Sequence, residues 1–370
     1  MKIKRPLVLG VAAGIILSTI AVATPAFADP VSGSYVAVGS DTLDSSMNAL
    51  TNGTSVTGST VRIKAAGAAV GSFDAFGSTL IQTKSGGPYF QRPSGSGQGV
   101  NALIASVRGA SDSSFKWNNV NIAGQVDIAR SSSGPGSNAN TSGKLIYVPY
   151  ARDAVAYAYY PVAGHETDLA GLTTAQLTAI YNGTLTSVGS TTVIPLIPQS
   201  GSGTRNFFLK AIGVSSDGSC TLAVCTSSAI PENDASKLTT AGQIIPFSAA
   251  NWIAQANGVQ NNTIPASGAV LLGKPDGLAP FSGTGSSLVP STELYNSTVY
   301  GRDTYLVVEY ARIDPTSPTY DSVLAGLVDT TKVSSLTNFS ATLASQPGSV
   351  KKKFGFLAPS TSTPQRAYTW

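Results

Sequence analysis

Four stretches of this 370-residue chain bring hydroxyl side chains together, and in three of them glycines alternate with the hydroxyls ahead of a run with helical spacing. The fullest is Gln199-Ser200-Gly201-Ser202-Gly203-Thr204-Arg205, which leads into Asn206-Phe207-Phe208-Leu209-Lys210-Ala211-Ile212, with Gly213 placed to stop the helix. Glycines leave backbone N–H groups unobstructed at the helix N-terminus, where the helix dipole favours negative charge. The loop therefore reads as a site that holds an oxyanion without reacting on it. Gly39-Ser40-Asp41-Thr42 and Ser94-Gly95-Ser96-Gly97-Gln98-Gly99 repeat the pattern upstream, and the three loops can converge on one ligand. Ser131-Ser132-Ser133 closes the strand-like Val126-Asp127-Ile128-Ala129-Arg130 and offers Ser132. Arg130 and Arg205 stand beside these hydroxyls as candidate cations, with Arg92 a third, because guanidinium binds phosphate in bidentate fashion.

Catalytic groups are sparse. The one histidine, His165, lies in the loop-like Ala163-Gly164-His165-Glu166, no G-x-S-x-G elbow occurs, and no carboxylate pairing stands out. A hydrolase acting through a loop serine is the weakest of the functional readings. Two cysteines cannot supply a zinc site, so neither metal nor cofactor is expected. In an exported chain, Cys220 and Cys225 are expected to close one small disulfide.

The loops need strand ends to hold them. Residues 34–39 alternate as a strand, and Leu43, Met47 and Leu50 continue at helical spacing, with Asp41 or Thr42 as the expected cap. Strand, hydroxyl loop and helix then recur, which predicts an α/β fold with ligand groups at strand ends. Residues 145–150 and 154–160 read as two apolar strands, with a first crossing between lobes at Ala151-Arg152-Asp153. The β-rich residues 304–310 return the chain. This gives lobe 1 from residues 29–150 and 305–370, and lobe 2 from 151–304. With 42% hydrophobic and 11% charged residues, the chain can bury a large core.

Residues 1–28 read as a secretory signal: Lys2, Lys4 and Arg5 precede an apolar core that ends in Ala26-Phe27-Ala28. No cysteine near that site could carry a lipid, so a secreted or surface-associated protein is expected. The signal holds three of the 23 basic residues and none of the 19 acidic ones, which brings the mature charge to about +1. Basic residues are otherwise scattered apart from Lys351-Lys352-Lys353, which argues against nucleic acid as a partner. A monomer is expected.

The order of these features resembles the solute-binding component of phosphate ABC importers, a type 2 periplasmic binding protein, over nearly the whole mature chain. Leu172-Thr173-Thr174-Ala175-Gln176-Leu177, running on to Gly183, is similar to a helix motif of that family, and Gly201-Ser202-Gly203-Thr204 before a Phe-rich helix is its most specific match. The resemblance implies two α/β lobes joined by two crossovers that close on phosphate and deliver it to importer subunits in the membrane. By position, it assigns Thr42, Ser96, Ser202, Gly203 and Thr204 to the ligand. The family also carries an arginine where this chain has Pro198 and an aspartate where it has Ser200. A further acidic acceptor of the family falls near Ser132. Arg205, Arg130 or Arg92 could then supply the cation. The alternative is a secreted surface or adhesion protein that kept the fold and lost or changed its ligand.

Overall fold

The computed structural model describes residues 29–30, 35–52, 64–65, 68–214, 230–344 and 346–370. Residues 1–28, expected as a signal, and the expected Cys220–Cys225 disulfide lie outside the described residues. In chain order the elements that build the cleft are β1 (Tyr35–Gly39), α1 (Asp44–Thr51), β2 (Ala68–Ser72), α2 (Ser96–Arg108), β3 (Ile128–Ser131), β4 (Leu145–Tyr159), α3 (Thr174–Tyr181), β5 (Ile194–Pro195), α4 (Gly203–Ala211), β6 (Gln243–Ser248), α5 (Ala249–Ala256) and β7 (Gly301–Glu309).

One mixed sheet runs through the molecule in the order β5-β6-β4-β7-β3-β1-β2. β1 pairs parallel with β2 and β3, whereas β7 runs antiparallel to both β3 and β4. The apolar runs on either side of Arg152 and Asp153, expected as two strands, form the single 15-residue β4. Nearly every residue of β4 is buried, as in a strand covered on both faces. Pro149 cannot donate to a ladder, and the pairing with β7 slips by one residue there, between Thr304 and Tyr305.

Two lobes hang on this ribbon. One apolar cluster draws on residues 154–300, including Tyr157, Leu177, Phe208, Ile244 and Trp252. The other side holds two clusters drawn from residues 35–151 and 305–367, joined by Ala250 and Ala254 of α5. The changeover falls where β4 and β7 cross together, Ala154 opposite Gly301 and Ala151 opposite Thr304. In the second lobe, α3 opens on a capping box in which Thr173 and Gln176 satisfy each other's backbone N–H groups, as Ser/Thr-x-x-Glu/Gln spacing predicts.

Candidate functional site

Loops from both lobes meet above the ribbon. Gly39, at φ +115°, turns the chain from β1 so tightly that a Cβ would lie 2.6 Å from the Arg130 carbonyl. Beyond it Thr42 is buried, and the capping role expected for Asp41 or Thr42 is not taken: α1 begins after Leu43 with no side-chain cap. This leaves the Thr42 hydroxyl available to the cleft. Ser96 opens α2, and Ser132 follows β3. From the second lobe Ser202 caps α4 by accepting from the Arg205 N–H, as the sequence suggests for a hydroxyl ahead of a helix. Gly203 is the point of closest approach, because a Cβ there would collide with the Ser96 and Ser132 hydroxyls. The Gly97 N–H donates to Gly201 O across the lobes at 3.3 Å.

The hydroxyls of Thr42, Ser96, Ser132 and Thr204 thus form one cluster. Thr42 and Thr204 share a hydrogen bond of 3.3 Å, and Ser96 and Ser132 one of 3.1 Å. An oxyanion seated among them would replace those bonds, so entry requires the loops to part.

The cation that reaches this cluster is Arg302, on β7. Its Nη2 donates to Thr204 at 2.9 Å and to Thr42 at 3.2 Å, and its Nη1 to Ser132 at 3.4 Å. Asp153, directly opposite on β4, accepts from Arg302 Nε at 3.1 Å and Nη2 at 2.8 Å. The same carboxylate accepts from Ser248 Oγ and from the Ala250 N–H in the first turn of α5. A carboxylate so fully satisfied by donors holds the guanidinium in one orientation.

Arg130 and Arg205 do not supply the charge. Arg130 is buried beneath the first loop, where it pairs with Asp44 and donates to Ser72 Oγ, Ser40 O and Phe73 O. Its donors are spent on holding the strand ends. The Arg205 guanidinium turns back to Pro198 O at 3.0 Å, bracing its own loop. Arg92 pairs with Asp29 and donates to the Asp74 and Ser78 carbonyls. His165 sits half-exposed near Asp168 and has no part in the cluster.

Two groups were not singled out by sequence reasoning. Arg302 was passed over although Arg-Asp occurs at both crossings, 152–153 and 302–303. That repeat is the signal that could have found it. Glu232 is the second. It accepts from Ser202 Oγ and, at 3.3 Å, from the Thr204 N–H. Its Oε1 is buried with no hydrogen-bond partner. Burial pushes the Glu232 carboxyl up, and burial followed by the nearby Glu232 charge pushes Asp41 up well above the usual carboxylate range. Asn233 Nδ2 bridges toward the pair by donating to Asp41 at 2.8 Å.

Among the described residues no group of His, Cys, Asp or Glu could hold a metal ion, and no helix is long and apolar enough to cross a membrane. No curated protein matches the sequence. The fold is similar to solved structures of an ABC-type phosphate transport receptor from Vibrio cholerae (14% identity, 88% of this chain and 100% of that one, TM-score 0.43). It is also similar to a phosphate-binding protein from Stenotrophomonas maltophilia (13%, 89% and 91%, 0.45). A human phosphate-binding apolipoprotein is similar to the same degree (14%, 88% and 91%, 0.46). The PBP superfamily domain matches residues 24–325, the greater part of the sequence, and the chain belongs to that superfamily of two-lobed binding proteins.

Proposed function

We propose that this protein is an extracytoplasmic solute-binding protein that captures phosphate, or a closely related oxyanion, between its lobes and delivers it to an ABC importer. The observation that carries this reading is the buried Arg302 guanidinium, within 3.4 Å of hydroxyls from both lobes and fixed by Asp153 at the crossing between them. A cation placed at the crossover can follow the anion through closure, since neither lobe carries it away. Lobe 1 is taken as residues 29–150 and 305–370 and lobe 2 as 151–304. Thr42, Ser96, Ser132, Ser202, Gly203 and Thr204 are assigned as ligands, with Arg302 replacing Arg130 and Arg205. Residues 1–28 would be the export signal, and the protein would work as a secreted or surface-associated monomer that binds without catalysis.

Glu232 supplies selectivity in this reading. A carboxylate beside the ligand tolerates an oxyanion that brings a proton and repels one that cannot, which favours hydrogen phosphate over sulfate. It takes the place of the acidic acceptors that the chain lacks at Ser200 and Ser132. The test is calorimetric titration of the mature protein, unfolded and refolded to strip bound ligand, with phosphate and sulfate at pH 7 to 8. Phosphate binding that Arg302→Ala abolishes supports the reading. Silence to both anions would favour a surface protein that kept the fold alone.

A further inference from the structure

A cleft of about 920 Å³ adjoins Arg302, outside the buried hydroxyl cluster. A water molecule takes about 30 Å³ of liquid volume, so a bare five-atom oxyanion fills on the order of 100 Å³ and leaves most of that space over. Clefts of several hundred Å³ are the size that holds a complete organic ligand. Three elements contribute the walls. Ser133, Ser137 and Asn138 come from the loop after β3, Asn206, Phe207 and Lys210 from α4, and Val299 and Tyr305 from the return crossing.

Arg302 belongs to both places. It donates to Thr42, Thr204 and Ser132, lines the cleft, and its guanidinium lies 5.6 Å from the centre of the Phe207 ring. β7 pairs with β3 only from Tyr305 onward, so beside Arg302 the outer edge of the ribbon faces the cleft and not another strand. A phosphoryl group seated on Arg302 would therefore have one oxygen directed into the cleft. An ester bond at that oxygen would place an organic substituent in the cleft that Phe207 and Tyr305 line.

We propose that the ligand is a phosphate monoester of a polyhydroxylated body, a sugar or polyol phosphate. This rests on the oxyanion reading above and names the substrate class. The lining matches that chemistry. Asn206 offers an amide donor and acceptor, the pattern that pairs with neighbouring hydroxyls; Asn138, whose Nδ2 also donates to the Tyr368 hydroxyl at 3.3 Å, offers its carbonyl oxygen, and Ser133 and Ser137 add two more polar groups. Phe207 and Tyr305 line the cleft with aromatic rings, which suit the C–H side of a sugar. Lys210, exposed on the rim, adds positive charge for an anionic ligand.

The test is calorimetric titration of the refolded mature protein with inorganic phosphate, glucose 6-phosphate and glycerol 3-phosphate, repeated on Asn206→Ala and Asn138→Ala. At least one ester is expected to bind 10-fold or more tightly than phosphate, and each variant to weaken the ester 3- to 10-fold while leaving phosphate within twofold. Thermal melts of the variants check folding. Phosphate binding with no gain from either ester overturns the inference and leaves the oxyanion reading standing. Variants that weaken phosphate and ester equally also overturn it. Absence of binding by all three compounds overturns both.

Discussion

The hinge ribbon carries the same dipeptide twice, Arg152-Asp153 on β4 and Arg302-Asp303 on β7, and the antiparallel register sets each arginine against the other strand's aspartate. Neighbouring side chains on a strand point to opposite faces, so the two ion pairs look in opposite directions. Arg302 and Asp153 are almost wholly buried, at 2% and 0% side-chain exposure, against 14% and 6% for Arg152 and Asp303. Arg152 spends its Nε on Tyr295 O at 2.6 Å, and Asp303 accepts from the Ser360 N–H and hydroxyl. The second pair ties ribbon to loops. The first leaves guanidinium donors aimed at hydroxyls. Identical residues thus divide into a strut and a candidate ligand by strand parity and by what lies opposite.

The largest effect that would break this comparison is on stability. Asp153→Asn leaves Arg302 buried without its counter-charge and is expected to cost about 3–5 kcal/mol. Asp303→Asn, whose arginine keeps the Tyr295 carbonyl, is expected to cost about 1–2 kcal/mol. Urea denaturation of the two variants reads the difference, and equal losses would mean the two faces are equivalent struts. Next comes affinity. Arg302→Ala is expected to weaken phosphate binding at least about 100-fold, since it removes charge-assisted bonds worth about 1.5–3 kcal/mol each. Arg152→Ala is expected to leave affinity within threefold in the same titration. If Arg152→Ala weakens binding as much as Arg302→Ala, the face assignment is wrong.

The convergence of the hydroxyls in the candidate site was legible because its signal is local. Ser202-Gly203-Thr204 sits at a helix start, and Gly203 is needed where α4 meets Ser96 and Ser132. Thr42, Ser96 and Ser132 follow strands or begin helices in the same way. The charged half was not legible, because adjacency in sequence says nothing about which way a guanidinium turns. Arg130 follows β3 residues directly but points under the first loop, into carbonyls and Asp44. Arg205 follows Thr204 directly but folds back on Pro198. Arg302 lies nearly a hundred residues from Thr204 and joins it only through the register of β4 and β7. β4 itself was read as two strands because Arg152 and Asp153 interrupt its apolar run; in the structure each finds its partner on β7, so the strand continues through them.

A smaller effect separates the two lobes' hydroxyls. Thr204→Ala and Thr42→Ala should each weaken phosphate binding by about 1–3 kcal/mol, the range for one hydrogen bond to a charged group. Both accept from Arg302 Nη2, so the double variant should fall short of the sum. A fully additive double variant in titration would mean that the two threonines do not share the arginine.

The smallest expected effect sharpens the contrast between a carboxylate with its cation and one without. Asp153 is met by Arg302, whereas Glu232 has one oxygen unpartnered and is pushed up by burial, with Asp41 raised beside it. A carboxyl raised in the folded state binds its proton more readily folded than unfolded, so stability falls as pH rises between the ordinary and the raised value. The stability is fully present below the ordinary carboxylate range and lost as pH climbs through the raised one. Other carboxylates, such as Asp321 and Asp329, are lowered and pull the opposite way. The informative quantity is therefore the difference between wild type and Glu232→Gln. That difference should shift in favour of the variant as pH rises from 4.5 to 7.5. Denaturation curves across that range measure it. A difference that stays flat with pH would mean that burial does not raise the Glu232 carboxyl in the folded protein.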